Sequence, residues 1–273
     1  MKTGNVLLIT LAFQLSLLQG QTANTAVIQI DAGHPAARVS PMLYGIMTEE
    51  INYSFDGGIY GELVRNRNFK EDPATPVHWQ LIQEHGGTGS MSLDTAEPFN
   101  AAIPVSLKLT VSQANKKGRV GIANQGFWGI PVEPNTRYQA SFYAKASPDF
   151  AGPINISIVS NEGTTVLASA HIAKVTGGWR RYQAVLSTGN VSPSAENHLL
   201  LSTGARGTVW FSMVSLFPPT WHNRPNGNRE DLMKLLAEMK PSFLRFPGGN
   251  YLEGNTVATR FDWKKTLGNI GQR

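Results

Sequence analysis

Three side chains, Glu49, Arg245 and Asn250, have the types and settings for chemistry on a polar ligand. Glu49 ends an apolar run, Pro41 to Asn52, in which a period of two from Gly45 puts Met47 and Glu49 on one face and Tyr44, Ile46 and Thr48 on the other. Arg245 lies in a second strand-like run, Phe243 to Phe246. Pro247, Gly248 and Gly249 stop that run abruptly, by removing a backbone donor and permitting unusual backbone angles. Asn250 follows at once. If the two runs are neighbouring strands with Phe243 and Arg245 facing inward, Glu49 and Arg245 point to the same side near strand carboxyl ends, where barrels and open α/β sheets bind ligands. A carboxylate and a guanidinium so placed either form a structural ion pair or hold hydroxyl groups by charge-assisted hydrogen bonds. Asn250 can donate and accept, which suits a polyol; it also suits a turn residue in a left-handed conformation. Glu50, Asn52 and Glu253 read as solvated or structural.

Other chemistries are excluded by what the chain lacks. It has no cysteine, so disulfides, thiolate catalysis and cysteine-bound zinc do not arise. The 6 histidines show no metal-ligand spacing, and there is no Gly-x-Ser-x-Gly, phosphate-binding glycine loop or dinucleotide fingerprint. No metal or cofactor is therefore expected. The net charge of +5, from 24 basic and 19 acidic residues, is spread without a basic stripe, which argues against nucleic acid.

The elements that must position these residues fall into four stretches. Residues 1–23 have the layout of a secretory signal: Lys2, an apolar run from Val6 to Leu18, then small and polar residues, the run being too short to span a bilayer comfortably. An exported protein, periplasmic or extracellular, with no membrane span after signal removal is expected. Residues 24–75 hold a strand over Ala26–Asp31, the Tyr44 strand and an Asp56-Gly57-Gly58 turn; Ile59 to Phe69 has no clear type.

Residues 76–218 have another texture. Short alternating runs at His78–Ile82, Ser106–Val111, Arg137–Lys145, Ile154–Ile158, Trp179–Val185 and Thr208–Leu216, with turn residues between them, describe an all-β sandwich or jelly roll almost without helix. Trp128, Phe127, Trp179 and Tyr182 can stack on sugar rings if exposed, although core is the commoner fate of such residues. Over 219–273 the period becomes helical. Asn228 is the expected N-cap, Glu230 and Asp231 lie in the first turn, and Leu232, Leu235, Leu236 and Met239 trace one face before Pro241. Helix then strand is half of a βα repeat, and the Tyr44 strand is its other half. The expected fold is mixed: an incomplete (β/α)8 TIM barrel, first strands and helix only, interrupted by the sandwich.

Several stretches carry a specific resemblance: Ser40–Asn52, Asp56–Phe69, Phe243–Gly254 and Phe261–Gly268, with Asn124–Ile130 and Tyr138–Lys145 inside the sandwich. Together they resemble the amino-terminal part of the α-L-arabinofuranosidases of glycoside hydrolase family fifty-one, in the branch with an inserted carbohydrate-binding-module-like domain. The resemblance implies that Glu49, Arg245 and Asn250 grip the arabinofuranosyl ring of an arabinan or arabinoxylan. It also implies a retaining mechanism whose acid/base and nucleophile glutamates lie on later barrel strands. No acidic residue of this chain matches either motif, so an inactive fragment of a glycosidase is expected. Two other readings stay open: a non-catalytic exported carbohydrate-binding protein, and a structural or adhesion sandwich.

Overall fold

In the computed structural model the described residues are 26–114, 118–163, 165–249, 254–260 and 262–272. They divide into two units, the first ending at Leu43 and the second running from Tyr44. In the first, the Asp31 carboxylate accepts from Gly33 N–H at 3.0 Å and meets His34 Nδ1 at 2.8 Å, and Pro41–Leu43 forms one tight helical turn. The strand expected over Ala26–Asp31 is not formed. Val27, Ile28 and Ile30 are each more than four-fifths exposed, at 82%, 84% and 84%, so no neighbouring strand or apolar face rewards the alternation.

The second unit is mostly β, with little helix, as expected. Two five-stranded antiparallel sheets dominate it. One, in spatial order, contains β2 (Trp79–Glu84), β5 (Arg119–Asn124), β10 (Asn197–Thr203), β7 (Ile154–Ser160) and β8 (Val166–Ile172). The other contains β3 (Thr88–Asp94), β4 (Ser106–Gln113), β11 (Gly207–Phe217), β6 (Arg137–Ala146) and β9 (Arg180–Ser187). Alternation explains the core between them. Along β6, Tyr138, Ala140, Phe142, Ala144 and Ala146 are buried while the residues between them are not. They join Leu107, Leu109, Ile122, Ile156, Leu199 and Phe211 in one cluster. Each large apolar side chain fully buried there stabilises the fold by roughly 1.5–3 kcal/mol.

The segment 60–69 packs onto these sheets. Leu63, Val64 and Phe69 join the core, Leu63 N–H donates to Leu216 O at 2.9 Å, and Val214 N–H donates to Arg67 O at 3.0 Å, beside a register shift in β11 at which Met213 has φ of 51°. Glu62, only 4% exposed, anchors the segment: its carboxylate accepts from Val64 N–H, from Leu216 N–H and from Arg67 Nη1 at 2.8 Å. Burial pushes the Glu62 carboxyl upward, against the pull of the Arg67 charge.

A third, two-stranded sheet joins β1 (Ile46–Met47) to β12 (Leu244–Arg245), and α1 (Glu230–Glu238) precedes β12. The residue before α1 is Arg229, whose guanidinium engages Asp231. Asn228 is therefore not the cap expected; it is drawn into a bridge with Tyr60 instead. Of the expected apolar face, Leu232 and Leu236 are half-buried while Leu235 and Met239 are exposed.

Candidate functional site

The site is built on the shortest sheet. β1 and β12 run parallel, with Ile46 opposite Leu244 and Met47 opposite Arg245. Ile46 N–H donates to Phe243 O and Thr48 N–H to Arg245 O, both at 3.1 Å, and Ser242 N–H donates to Tyr44 O at 2.9 Å. Glycine at 45 lets the Phe243 ring lie close over the strand: a Cβ there would be 2.3 Å from that ring, which would have to shift. On the following turn Phe246 packs against Phe55, with ring centres 5.2 Å apart.

This pairing brings Glu49 to a turn 200 residues further along the chain. Gly249 N–H donates to Glu49 Oε1 at 2.7 Å. Gly248 has φ of +98°, and a Cβ there would lie 2.1 Å from Glu49 Cγ, so both its backbone angle and the space beside it demand glycine. Glu49 is half-buried, and its second oxygen has no hydrogen-bond partner among the described residues.

Arg245 does not pair with Glu49. Its Nη1 donates to the Met47 sulfur at 2.8 Å, and among the described residues no ion pair joins it to a carboxylate. Register is the reason: Arg245 sits opposite Met47, and Glu49 lies two residues, roughly 6.6 Å, further along the strand direction. The structural ion pair is thereby set aside. What remains is one anchored, half-buried carboxylate and one exposed guanidinium. Asn250 and Glu253 lie outside the described residues.

Beyond Glu49 the chain reverses tightly. Asn52 and Tyr53 have φ of 52° and 63°, a region unfavourable for residues other than glycine. The reversal is held by the Ser54 hydroxyl donating to Glu49 O, by Ile51 N–H donating to the same carbonyl at 2.9 Å, and by Phe55 N–H donating to the Glu50 carboxylate at 2.9 Å. Burial raises the Glu50 carboxyl above its ordinary value. Sequence reasoning missed Ser54 and Tyr53, because nothing in their types or spacing signals a turn that grips its own strand end. Behind the corner is an apolar hollow of about 790 Å³, lined by Ile46, Leu244, Phe246, Met233 and Leu236 among others.

The aromatic residues depart from a simple core assignment. Trp128 is 69% exposed, with its edge contacts to Tyr53 replacing core packing, whereas Phe127, Trp179 and Tyr182 are half-buried.

Comparison with known proteins gives this geometry its setting. Residues 235–273 match the family described as the alpha-L-arabinofuranosidase 1 domain. The chain is 35% identical over 269 residues to a probable alpha-L-arabinofuranosidase A of Aspergillus terreus, covering 96% of this chain and 41% of that protein. It is 32% identical over 252 residues to alpha-L-arabinofuranosidase 1 of Arabidopsis thaliana, covering 88% of this chain and 36% of that protein. A solved structure of the arabinose-bound α-L-arabinofuranosidase MgGH51 superposes with a TM-score of 0.78 at 38% identity, over 88% of this chain and 39% of that one. The resemblance expected from the motifs thus holds along nearly the whole chain, in sequence and in fold. The chain spans about two fifths of the length of these relatives.

Proposed function

We propose that this chain is part of a retaining α-L-arabinofuranosidase, in which Glu49, Arg245 and Asn250 grip a terminal, non-reducing arabinofuranosyl ring of arabinan or arabinoxylan. The observation that carries this reading is the bond from Gly249 N–H to Glu49 Oε1 across the parallel pair β1–β12. It fixes one carboxylate oxygen and leaves the other to accept a sugar hydroxyl. The Arg245 guanidinium, paired with no carboxylate among the described residues, has donors beyond the one it gives to Met47, and such charge-assisted bonds contribute about 1.5–3 kcal/mol each. Asn250 follows directly on the glycine turn and adds a group able to donate and accept.

Gripping is separate from bond cleavage. Retention needs two carboxyl groups roughly 5 Å apart on either side of the scissile bond. Glu49 and Glu50 match neither of the family's catalytic motifs, and Glu49 is given the gripping role instead. Both glutamates of the mechanism come from outside this chain, which by itself is inactive. In the same reading β1, α1 and β12 open a (β/α)8 barrel, the sheets of 76–218 form an inserted jelly-roll module, and residues 1–23 direct export. The parallel pairing with a helix ahead of β12 supports the first of these.

The test is hydrolysis of 4-nitrophenyl α-L-arabinofuranoside by the intact protein, with product anomers followed by proton NMR. Release of the α-anomer first, with no turnover by the 273-residue chain, is the expected outcome. An intact protein that binds arabinan but cleaves nothing overturns the reading.

A further inference from the structure

A second groove lies on the two-sheet part of the molecule. It has a volume of about 620 Å³ and runs beside the loop that carries Phe127 and Trp128. A tryptophan left 69% exposed normally lacks a rigid support, but this one is held firmly. The buried Asn124 side chain uses its full hydrogen-bonding capacity on the loop and its neighbours. Its oxygen accepts from Arg65 N–H at 3.2 Å and Gly126 N–H at 2.9 Å, and its amide donates to Arg65 O at 2.9 Å and His78 O at 3.0 Å. At the far end Ile130 N–H donates to Asn197 O at 2.9 Å, and Asn197 Nδ2 donates back to Ile130 O at 3.0 Å. Between these anchors Gly126 and Gly129 take φ of +66° and +89°, and a Cβ on either would collide with a backbone carbonyl, of Leu63 or of Ala195.

The indole itself stands on a second aromatic. Tyr53 meets Trp128 edge-on, with centres 5.6 Å apart and planes at 90°, and meets Phe127 at 5.8 Å. Arg65 steadies this cluster, lying 5.2 Å from the Tyr53 ring and donating to its hydroxyl at 3.1 Å. The groove wall beside the indole is polar. Gln80 and Gln125 are exposed there, and their amides have no partner among the described residues. Asn161 and Glu196 line the other side.

A flat aromatic face, fixed in water and flanked by unused amides, matches one ligand chemistry: a ring with an apolar face and hydroxyls around its rim. We propose that this groove binds the pyranose rings of a neutral polysaccharide main chain, one ring stacking on Trp128 and its hydroxyls meeting Gln80 and Gln125. A six-membered chair offers the flat face that stacking needs; a puckered furanose does not. The assignment rests on the glycosidase reading for its class of ligand. Tyr53, which supports Trp128, lies four residues beyond Glu49, so the platform and the arabinose-gripping corner share one short segment of chain.

Binding can be tested without turnover. The intact protein is titrated with xylohexaose and cellohexaose, neither of which carries an arabinofuranosyl end to be cleaved, by calorimetry and tryptophan fluorescence. At least one pyranose oligosaccharide is expected to bind, and Trp128→Ala to weaken it at least tenfold with an unchanged far-UV dichroism spectrum. Gln125→Ala, at an exposed site, is expected to weaken it severalfold. No pyranose binding at millimolar concentration, or equal affinity in Trp128→Ala, overturns the proposal. Normal arabinofuranoside hydrolysis alongside such a result leaves the glycosidase reading standing, so the two failures are distinguishable.

Discussion

At the scale of single residues, Glu49 and Arg245 divide the work that an ion pair would have combined. Glu49 is fixed by Gly249, while Arg245 is turned toward Met47 and meets no carboxylate among the described residues. Gly248→Ala tests the fixing: it places a methyl group on Glu49 Cγ and forces an unfavourable backbone angle. In the intact enzyme we expect kcat/KM to fall by about 100-fold, equivalent to ~2.7 kcal/mol. The expected stability loss is smaller, about 1 kcal/mol or somewhat more, from the backbone. Kinetics and chemical denaturation of one preparation compare the two. Glu49 and Arg245 were legible because a charged group at the end of an apolar alternating run is unusual and a period of two fixes its face. That they would not touch was hidden, since relative register across two strands far apart in sequence leaves no local trace.

At the scale of elements, the two sheets depend on polar anchors as well as on the apolar core. Glu62 and Arg67 tie the 60–69 segment to β11. Glu62→Ala leaves the partly buried Arg67 guanidinium without its carboxylate and strands the Val64 and Leu216 N–H groups, and we expect a loss of about 3 kcal/mol, read from the urea midpoint. Asp94 supplies a pH-dependent anchor. Burial raises its carboxyl, but donation from Trp210 Nε1 and from the Ala96 and Glu97 N–H groups, with the Lys108 charge, brings it below the ordinary value of 3.8. A depressed folded-state value means stability present above pH 3.8 and lost as the pH falls through the folded value. Asp94→Asn should flatten that acid limb of the stability curve, measured by thermal melts from pH 5 down to about 2. Strands such as β6 were legible because alternation marks one buried face. β3 was missed because its Thr, Gly and Ser residues carry little apolar signal. β10 was missed for the opposite reason: Leu199 and Leu201 face the main core while Leu200 faces a smaller cluster with Ala123 and Val159, so burial on both sides erases the alternation.

At the scale of the whole molecule, the two-sheet part buries its apolar residues while the β1–β12–α1 part does not. Leu244 and Phe246 are 56% and 61% exposed at the hollow of about 790 Å³, and Leu235 on α1 is 60% exposed. Apolar surface of this kind marks an interaction site or an aggregation hazard. The 273-residue chain alone should therefore bind a hydrophobic dye and aggregate, and limited proteolysis should leave the two-sheet part as the resistant core. A monodisperse chain that unfolds in one transition including Phe243–Phe246 would contradict this. The exposed apolar residues also limit what sequence can reveal, for Val27, Ile28 and Ile30 alternate as a strand does without forming one. The account as a whole stands on the claim that one corner, built from both ends of the second unit, grips an arabinofuranosyl ring. The most direct measurement is steady-state hydrolysis of 4-nitrophenyl α-L-arabinofuranoside by the intact enzyme and its Arg245→Ala variant, with thermal melts of both. The account predicts a fall in kcat/KM of at least about 100-fold, ~2.7 kcal/mol, with the melting temperature nearly unchanged. Undiminished turnover, or a loss that merely follows a collapse in melting temperature, would contradict it.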